Sequence, residues 1–237
     1  MLETHTRRVF NHEPWVLPEL KALNDETGRW YLRGEEKFRS VTSYLDDHWD
    51  KSFLDDWRKR VGSEEAAHIS KTSAVRGSSL HAGIEQYLNN QGMPNYNGNP
   101  HYRMLFLKLR SHLDRINNIR LMEQPLCSVK LKVAGRPDCI ADYDSVLSVL
   151  DFKSSGKVKK KKFILTYFLQ CGFYGLMAKE LYNQDIQQAV IVMATEDSPT
   201  AQIFKEKMSV CIGMVENFIA DPIKFQVKWK KLSKKMK

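Results

Sequence analysis

Three residues have the types and spacing to do chemistry together. Asp138 ends the segment Gly135-Arg136-Pro137-Asp138, and thirteen residues later Asp151 and Lys153 stand in Asp151-Phe152-Lys153-Ser154-Ser155. Alternate residues of a strand share a face, so Asp151 and Lys153 point the same way while Phe152 turns into the core. Leu147, Val149 and Phe152 mark a buried strand, yet its end carries two opposite charges. Charges there are costly unless paired or bound to a metal. Gly135 and Pro137 fit regular sheet poorly and suggest a bulge that re-aims Asp138 toward Asp151. Two convergent carboxylates suit a hard cation, Mg²⁺ or Mn²⁺. Such an ion acidifies a bound water and neutralises charge on a phosphoryl oxygen. A lysine beside it orients or deprotonates that water, or stabilises the charge that builds up. The set is a recipe for phosphodiester hydrolysis.

Further polar residues are spaced to join it. His81 and Glu85 lie one helical turn apart and share a face, opposite an apolar face of Leu80, Ile84 and Leu88. His81 can add an imidazole to the metal, and Glu85 a direct or water-mediated carboxylate. Gln170 and Tyr174 form a second i, i+4 pair that can reach the catalytic strand end or a scissile phosphate. Between these groups runs Lys157, Lys159, Lys160, Lys161 and Lys162, a basic stretch suited to a polyanion. Trp49, Trp57, Tyr96, Tyr102 and Tyr167 are open to two roles, base stacking or core packing.

The elements that must position these groups are readable in outline. Residues 1 to about 37 are polar, and Pro14 and Pro18 break any early helix, which predicts irregular structure. Ser40 to Ser43 offer caps for a helix starting at Tyr44 and Leu45. Helical patterns follow through Phe53, Leu54, Trp57 and Val61, and through Ala66, Ala67, Ile69 and Ala74, with Gly77 as a break. The next helix carries Leu80, Ile84, Tyr87 and Leu88 and ends at Asn89-Asn90-Gln91-Gly92. A turn-rich loop spans Met93 to Pro100, then a helix from His101 to Ile116. Cys127, Val129 and Leu131 alternate with polar residues as a half-buried strand. Val133 to Tyr143 and Val146 to Phe152 read as two more strands around a tight Asp144-Ser145 turn. A helix from Phe163 to Tyr182, an apolar strand from Ala189 to Ala194 and a helix from Met208 to Ile219 complete an α/β order.

Composition narrows the function classes. The 237 residues are 42% hydrophobic and 27% charged, ordinary for a globular chain of one domain plus an appendage. A formal net charge of +9 fits a nucleic-acid partner, and from Lys224 the chain carries Lys228, Lys230, Lys231, Lys234, Lys235 and Lys237 with no acid, read as a basic tail. No apolar run is long enough to span a membrane, and Met1 to Phe10 lack a secretory h-region. Glu3, Glu13 and Glu19 spoil a mitochondrial transit peptide, so a bacterial or phage-infected cytoplasm is the expected setting. Cys127, Cys139, Cys171 and Cys211 lack zinc spacing and read as reduced, buried thiols.

At these residues the chain resembles the PD-(D/E)XK nuclease superfamily, in its RecB-type branch. The motifs are Gly77-Ser78-Ser79-Leu80-His81 with Glu85, then Gly-Arg-Pro-Asp, Asp-Phe-Lys-Ser-Ser and Gln170-x-x-x-Tyr174, spread over about Ser40 to Thr195. The front segment, with Leu54 and Trp57-Arg58-Lys59-Arg60, is similar to that of mitochondrial genome maintenance exonucleases and related phage and bacterial exonucleases. The resemblance implies an α/β restriction-endonuclease-like core, a mixed sheet flanked by helices, over 77–222. An N-terminal helical segment or arch (1–76) would precede it and the basic tail (223–237) follow. It implies a DNA exonuclease in replication, repair or recombination that threads a single-stranded end past Mg²⁺ or Mn²⁺. His81, Asp138, Asp151 and the Phe152 carbonyl would be metal ligands, Lys153 the catalytic lysine, and Ser154, Ser155 and Lys157 neighbours of DNA phosphates, with Lys159 and Lys160 of the lysine run beyond them. No carboxy-terminal cysteine cluster is present, so no iron–sulfur cluster is expected. A duplex-end exonuclease, a structure-specific endonuclease and an inactive DNA-binding protein on the same fold are the competing readings.

Overall fold

The computed structural model describes residues 8–235. The readings of Met1 to Arg7, and of Met236 and Lys237 in the tail, lie outside the described residues. The fold is α/β, with two five-stranded mixed sheets and seven α-helices among the described residues.

Residues expected to be irregular form a meander instead: β1 (Lys21–Asp25), β2 (Gly28–Arg33) and β3 (Glu36–Ser40), all antiparallel. Their apolar alternation is masked by charge. β1 is exposed throughout, and only Tyr31 and Phe38 of the first three strands' large side chains are fully covered. Ser40 then caps α1 (Val41–His48), its side chain accepting from the Ser43 amide, as the sequence predicts.

The helical pattern through Phe53, Leu54, Trp57 and Val61 is found in α2 (Ser52–Val61), but Gly77 does not break the helix that follows. α3 (Ser63–Leu88) runs unbroken for 26 residues. A helical glycine costs only ~1 kcal/mol relative to alanine, which the burial of Leu80, Ile84, Tyr87 and Leu88 offsets several times over. A short 3₁₀ turn at Tyr96–Gly98 leads into α4 (Pro100–Leu113), capped by Asn99.

The main sheet holds β4 (Ile116–Met122), β7 (Cys139–Tyr143), β8 (Val146–Ser155), β9 (Gln188–Thr195) and β10 (Gln202–Lys207), in the order β10-β9-β8-β7-β4. Asp144 and Ser145 both have positive φ (53° and 63°), the geometry of a two-residue hairpin turn between β7 and β8. β8 and β9 pair in parallel, and β9 is buried from Ala189 to Thr195, the continuous apolar run of a strand covered on both faces. One face carries Leu150, Phe152, Val190 and Val192 against Leu80, Ile84, Leu105 and Leu109 of α3 and α4. The other carries Val149, Ile191 and Met193 against α5 (Leu165–Tyr182) and α6 (Met208–Ala220).

Three further expectations need correction. Val133 to Tyr143 is not one strand: β6 (Val133–Gly135) pairs in parallel with β3 in the small sheet, while β7 belongs to the main one. Arg136 and Pro137 carry the chain across. The strand predicted around Cys127 to Leu131 is only β5 (Leu126–Ser128), because Glu180 captures the Ser128 hydroxyl and the Val129 and Lys130 amides and turns the chain there. The basic tail is a helix, α7 (Pro222–Lys235), packed through half-buried Phe225 and Trp229, with Gln226 buried. No helix is long and apolar enough to cross a membrane among the described residues.

Candidate metal centre and its groove

The residues of the site arrive from four places in the fold, three of them predicted. α3 supplies His81, β8 supplies Asp151, Lys153 and the Phe152 carbonyl, and the crossing between the sheets delivers Asp138 just before β7. The fourth element was not foreseen: Glu123, directly after β4, with positive φ (50°). His81, Glu123 and Asp138 place one ligand atom each within 4.8 Å of one another. Asp151 stands outside this trio, and its Oδ1 is bonded to the Lys153 ammonium. Glu123 gave little signal in sequence. Only its place in Met122-Glu123-Gln124-Pro125, a carboxylate at a strand end before a proline, set it apart from any loop acid.

His81 shows what the site is built to hold. Its Nδ1 lies 3.1 Å from Glu123 Oε1 and 3.6 Å from Asp138 Oδ1, and its Nε2 lies 2.8 Å from the Phe152 carbonyl. Every one of these partners is an acceptor, an environment that favours the protonated ring while no cation is bound. Burial pulls the His81 pKa down, but Glu123 and Asp138 outweigh it and the net shift is upward. Acceptors converging on a positive group match the donor set a hard cation takes.

Asp138 is fixed by its Oδ2, which accepts from the Phe152 amide at 2.7 Å and lies 3.9 Å from Lys153 Nζ. Asp151 is buried, and its Oδ2 has no hydrogen-bond partner. Burial pushes its carboxyl up to about 6, with Lys153 opposing and Asp138 adding to the shift. A buried carboxylate oxygen without a partner, with a second carboxylate near enough to raise its pKa, is what a cation would satisfy, so these residues fit a metal. Burial pulls Lys153 down, but Asp151 and Asp138 more than reverse this, keeping it an ammonium. The Tyr167 ring centroid lies 5.0 Å from that ammonium, so this aromatic packs against β8.

The trio opens onto a groove of about 620 Å³. Glu85 lines it one helical turn beyond His81 but stands outside the trio. Gln170 and Tyr174 form its opposite wall: Gln170 donates to the Tyr174 hydroxyl (3.1 Å), which donates to the Arg136 carbonyl (3.3 Å). Gly135 permits this contact, since a Cβ there would lie 2.7 Å from the Tyr174 ring. Arg29 and Tyr31 of β2 line the groove too, from a segment the sequence left without structure. Arg136, half exposed, pairs with Glu123 at 3.0 Å.

The predicted phosphate-binding residues lie along the exit of β8. Ser154 accepts from Arg76, Ser155 is buried with its hydroxyl donated to the Lys157 carbonyl, and Lys157, Lys159 and Lys160 are exposed. The Lys159 amide is tied to Gln202 at the start of β10. Lys161 is already engaged with Glu206.

Two curated relatives resemble the chain. Mitochondrial genome maintenance exonuclease 1 of Mus musculus is 28% identical over 112 residues, covering 45% of this chain and 33% of that protein. The same-named protein of Homo sapiens is 26% identical over 175 residues, covering 68% of this chain and 50% of that protein. The chain thus spans half or less of the length of the curated relatives it matches. No family model matches. Among solved structures, the crystal structure of SSO0001 aligns with 70% of this chain and 68% of that one, at 16% identity and a TM-score of 0.36.

Proposed function

We propose that the protein is a divalent-metal-dependent DNA exonuclease with a PD-(D/E)XK-type core, acting on single-stranded ends. The observation that carries this reading is the meeting of His81, Glu123 and Asp138 beside a buried Asp151–Lys153 pair. The names of its distant relatives, both exonucleases, support it.

In this reading His81, Asp138, Asp151, Glu123 and the Phe152 carbonyl hold Mg²⁺ or Mn²⁺. The ion, when bound, supplies an acidified water and neutralises charge on the phosphoryl oxygen. Lys153 remains protonated, so it acts as a donor: it orients the water or meets the negative charge of the transition state. Asp138, bonded to the Phe152 amide, keeps β8 and the inter-sheet crossing in register. Gln170 and Tyr174 hold the far wall, and Ser154, Ser155, Lys157, Lys159 and Lys160 receive the strand's phosphates. Glu85 stands ready to position water from α3. Support for single strands comes from α2. None of its residues is buried, and it presents half-buried Trp57 beside Arg58, Lys59 and Arg60, a ring with charges of the kind that binds stacked bases and phosphates.

The test is cleavage of end-labelled linear single-stranded, linear duplex and circular single-stranded DNA with Mg²⁺, Mn²⁺ or chelator, alongside Asp151→Asn. Metal-dependent loss of linear single strands alone, abolished in the variant, is expected. Cutting of circles would refute end dependence, and full activity in Asp151→Asn would remove the assigned site.

A further inference from the structure

Among the described residues, Arg76 is the most buried charged residue outside the candidate metal centre, with only 8% of its surface exposed. Its Nη1 lies 2.7 Å from Glu196 Oε1, its Nε donates to Ser154 Oγ at 3.2 Å, and its Nη2 reaches Ser73 Oγ at 3.5 Å. Such a guanidinium is not displayed for substrate. Its partners, however, are the two strand ends beside the site. Ser154 follows Lys153, and the Glu196 amide donates to the Ser155 carbonyl at 3.0 Å. His101 of α4 also approaches Glu196, at 3.3 Å.

The spacing of these contacts gives them a purpose. Besides the apolar packing of Leu80 and Ile84, α3 makes two polar ties to β8, Arg76 to Ser154 and His81 to the Phe152 carbonyl. Five residues of helix rise about 7.5 Å, and two residues of strand about 6.7 Å. The two ties therefore run side by side between antiparallel segments of nearly equal length. One tie alone is a pivot; two fix both the position and the rotation of the helix. A single-turn slide of about 5.4 Å would break both. None of the Arg76 partners is among the proposed metal ligands, so this tie is independent of whatever His81 and Phe152 bind.

We propose that Arg76 is a positioning residue: through Ser154 and Glu196 it locks α3 over the end of β8 so that His81 meets the Phe152 carbonyl, Glu123 and Asp138. The inference rests on the metal-centre reading above. Its test is Mn²⁺ binding to the full chain, followed by the electron paramagnetic resonance of the free ion, for wild type, Arg76→Met and Arg76→Lys. Thermal melts in chelator report the fold. Met keeps the buried stem and removes the charge-assisted hydrogen bonds. We expect Arg76→Met to weaken Mn²⁺ binding by up to about 10-fold, the low end for an outer-shell partner because Arg76 touches no ligand itself, and Arg76→Lys to recover part of it. Wild-type affinity in a folded Arg76→Met would overturn the proposal and leave the metal centre standing. No Mn²⁺ binding by wild type would overturn both. Should Arg76→Met fail to fold, Glu196→Gln carries the test: weaker Mn²⁺ binding is expected, and unchanged binding refutes the proposal.

Discussion

Replacing Lys153 by Met, which keeps its length and removes its charge, gives the sharpest measurable consequence. The Asp151 side chain is 4% exposed, one oxygen is bonded to Lys153 and the other has no partner. Removing one member of a buried ion pair costs about 3–5 kcal/mol. For a domain of this size that corresponds to a fall in Tm of about 6–20 °C. The loss must depend on pH. Asp151, already raised to about 6, moves higher once the opposing ammonium is gone. The variant's native state then binds a proton that the wild-type native state has released between pH 6 and 7.5. Its deficit therefore grows as pH rises through that window and shrinks as pH falls, by about 1.4 kcal/mol for each pH unit the carboxyl's titration moves up. Paired urea melts of both proteins in chelator at about pH 7.5 and about pH 5 measure this. Equal stability at pH 7.5, or a larger deficit at pH 5, would refute the account of the pair.

Neutralising Lys159 and Lys160 to Gln removes two exposed charges. If both contact phosphates, the slope of log affinity against log salt for a single-stranded oligonucleotide falls by about 1.4, and an unchanged slope puts the strand elsewhere. Gly135→Ala drives a methyl to 2.7 Å from the Tyr174 ring and should cost about 1–3 kcal/mol in denaturant melts. Adding Tyr174→Leu should return part of that loss, and no coupling between the two would refute the contact. Gly77→Ala meets open space on a helix and should stabilise the fold by about 0.5–1 kcal/mol, while a loss would show a hidden contact.

Strand β8 was legible because its signals are local. Alternation placed Asp151 and Lys153 together and turned Phe152 inward, and Asp144-Ser145 announced the hairpin. The buried face of α3 likewise followed from the spacing of Leu80, Ile84 and Leu88. What escaped was set by long-range pairing. β1 to β3 carry so many charges that their period is hidden, and the small sheet is completed by β5 and β6, from residues 126 to 135. The strand at Val133 ended early because Gly135 and Pro137 mark a passage between sheets, which a local pattern reads as a bulge. Glu123 escaped for a related reason: only the pairing of β4 with β7 brings its carboxylate beside His81. Gly77 misled because propensity is a weak prior against a well-packed apolar face.

The passage from β6 to β7 has a kinetic consequence. β6 is hydrogen-bonded to a strand more than ninety residues earlier in the chain, since Arg39 pairs with Val133, and β7 to the neighbouring hairpin strand. Asp138 reaches its final place only when both sheets have formed and joined, and closure of so long a loop is slow. His81 in turn waits for α3 to dock on the main sheet. The proposed ligand set is thus complete only when both sheets and α3 are in place. On the proposed reading, a newly made molecule cannot cut nucleic acid before it is completely built, so its activity serves as its own report of correct folding.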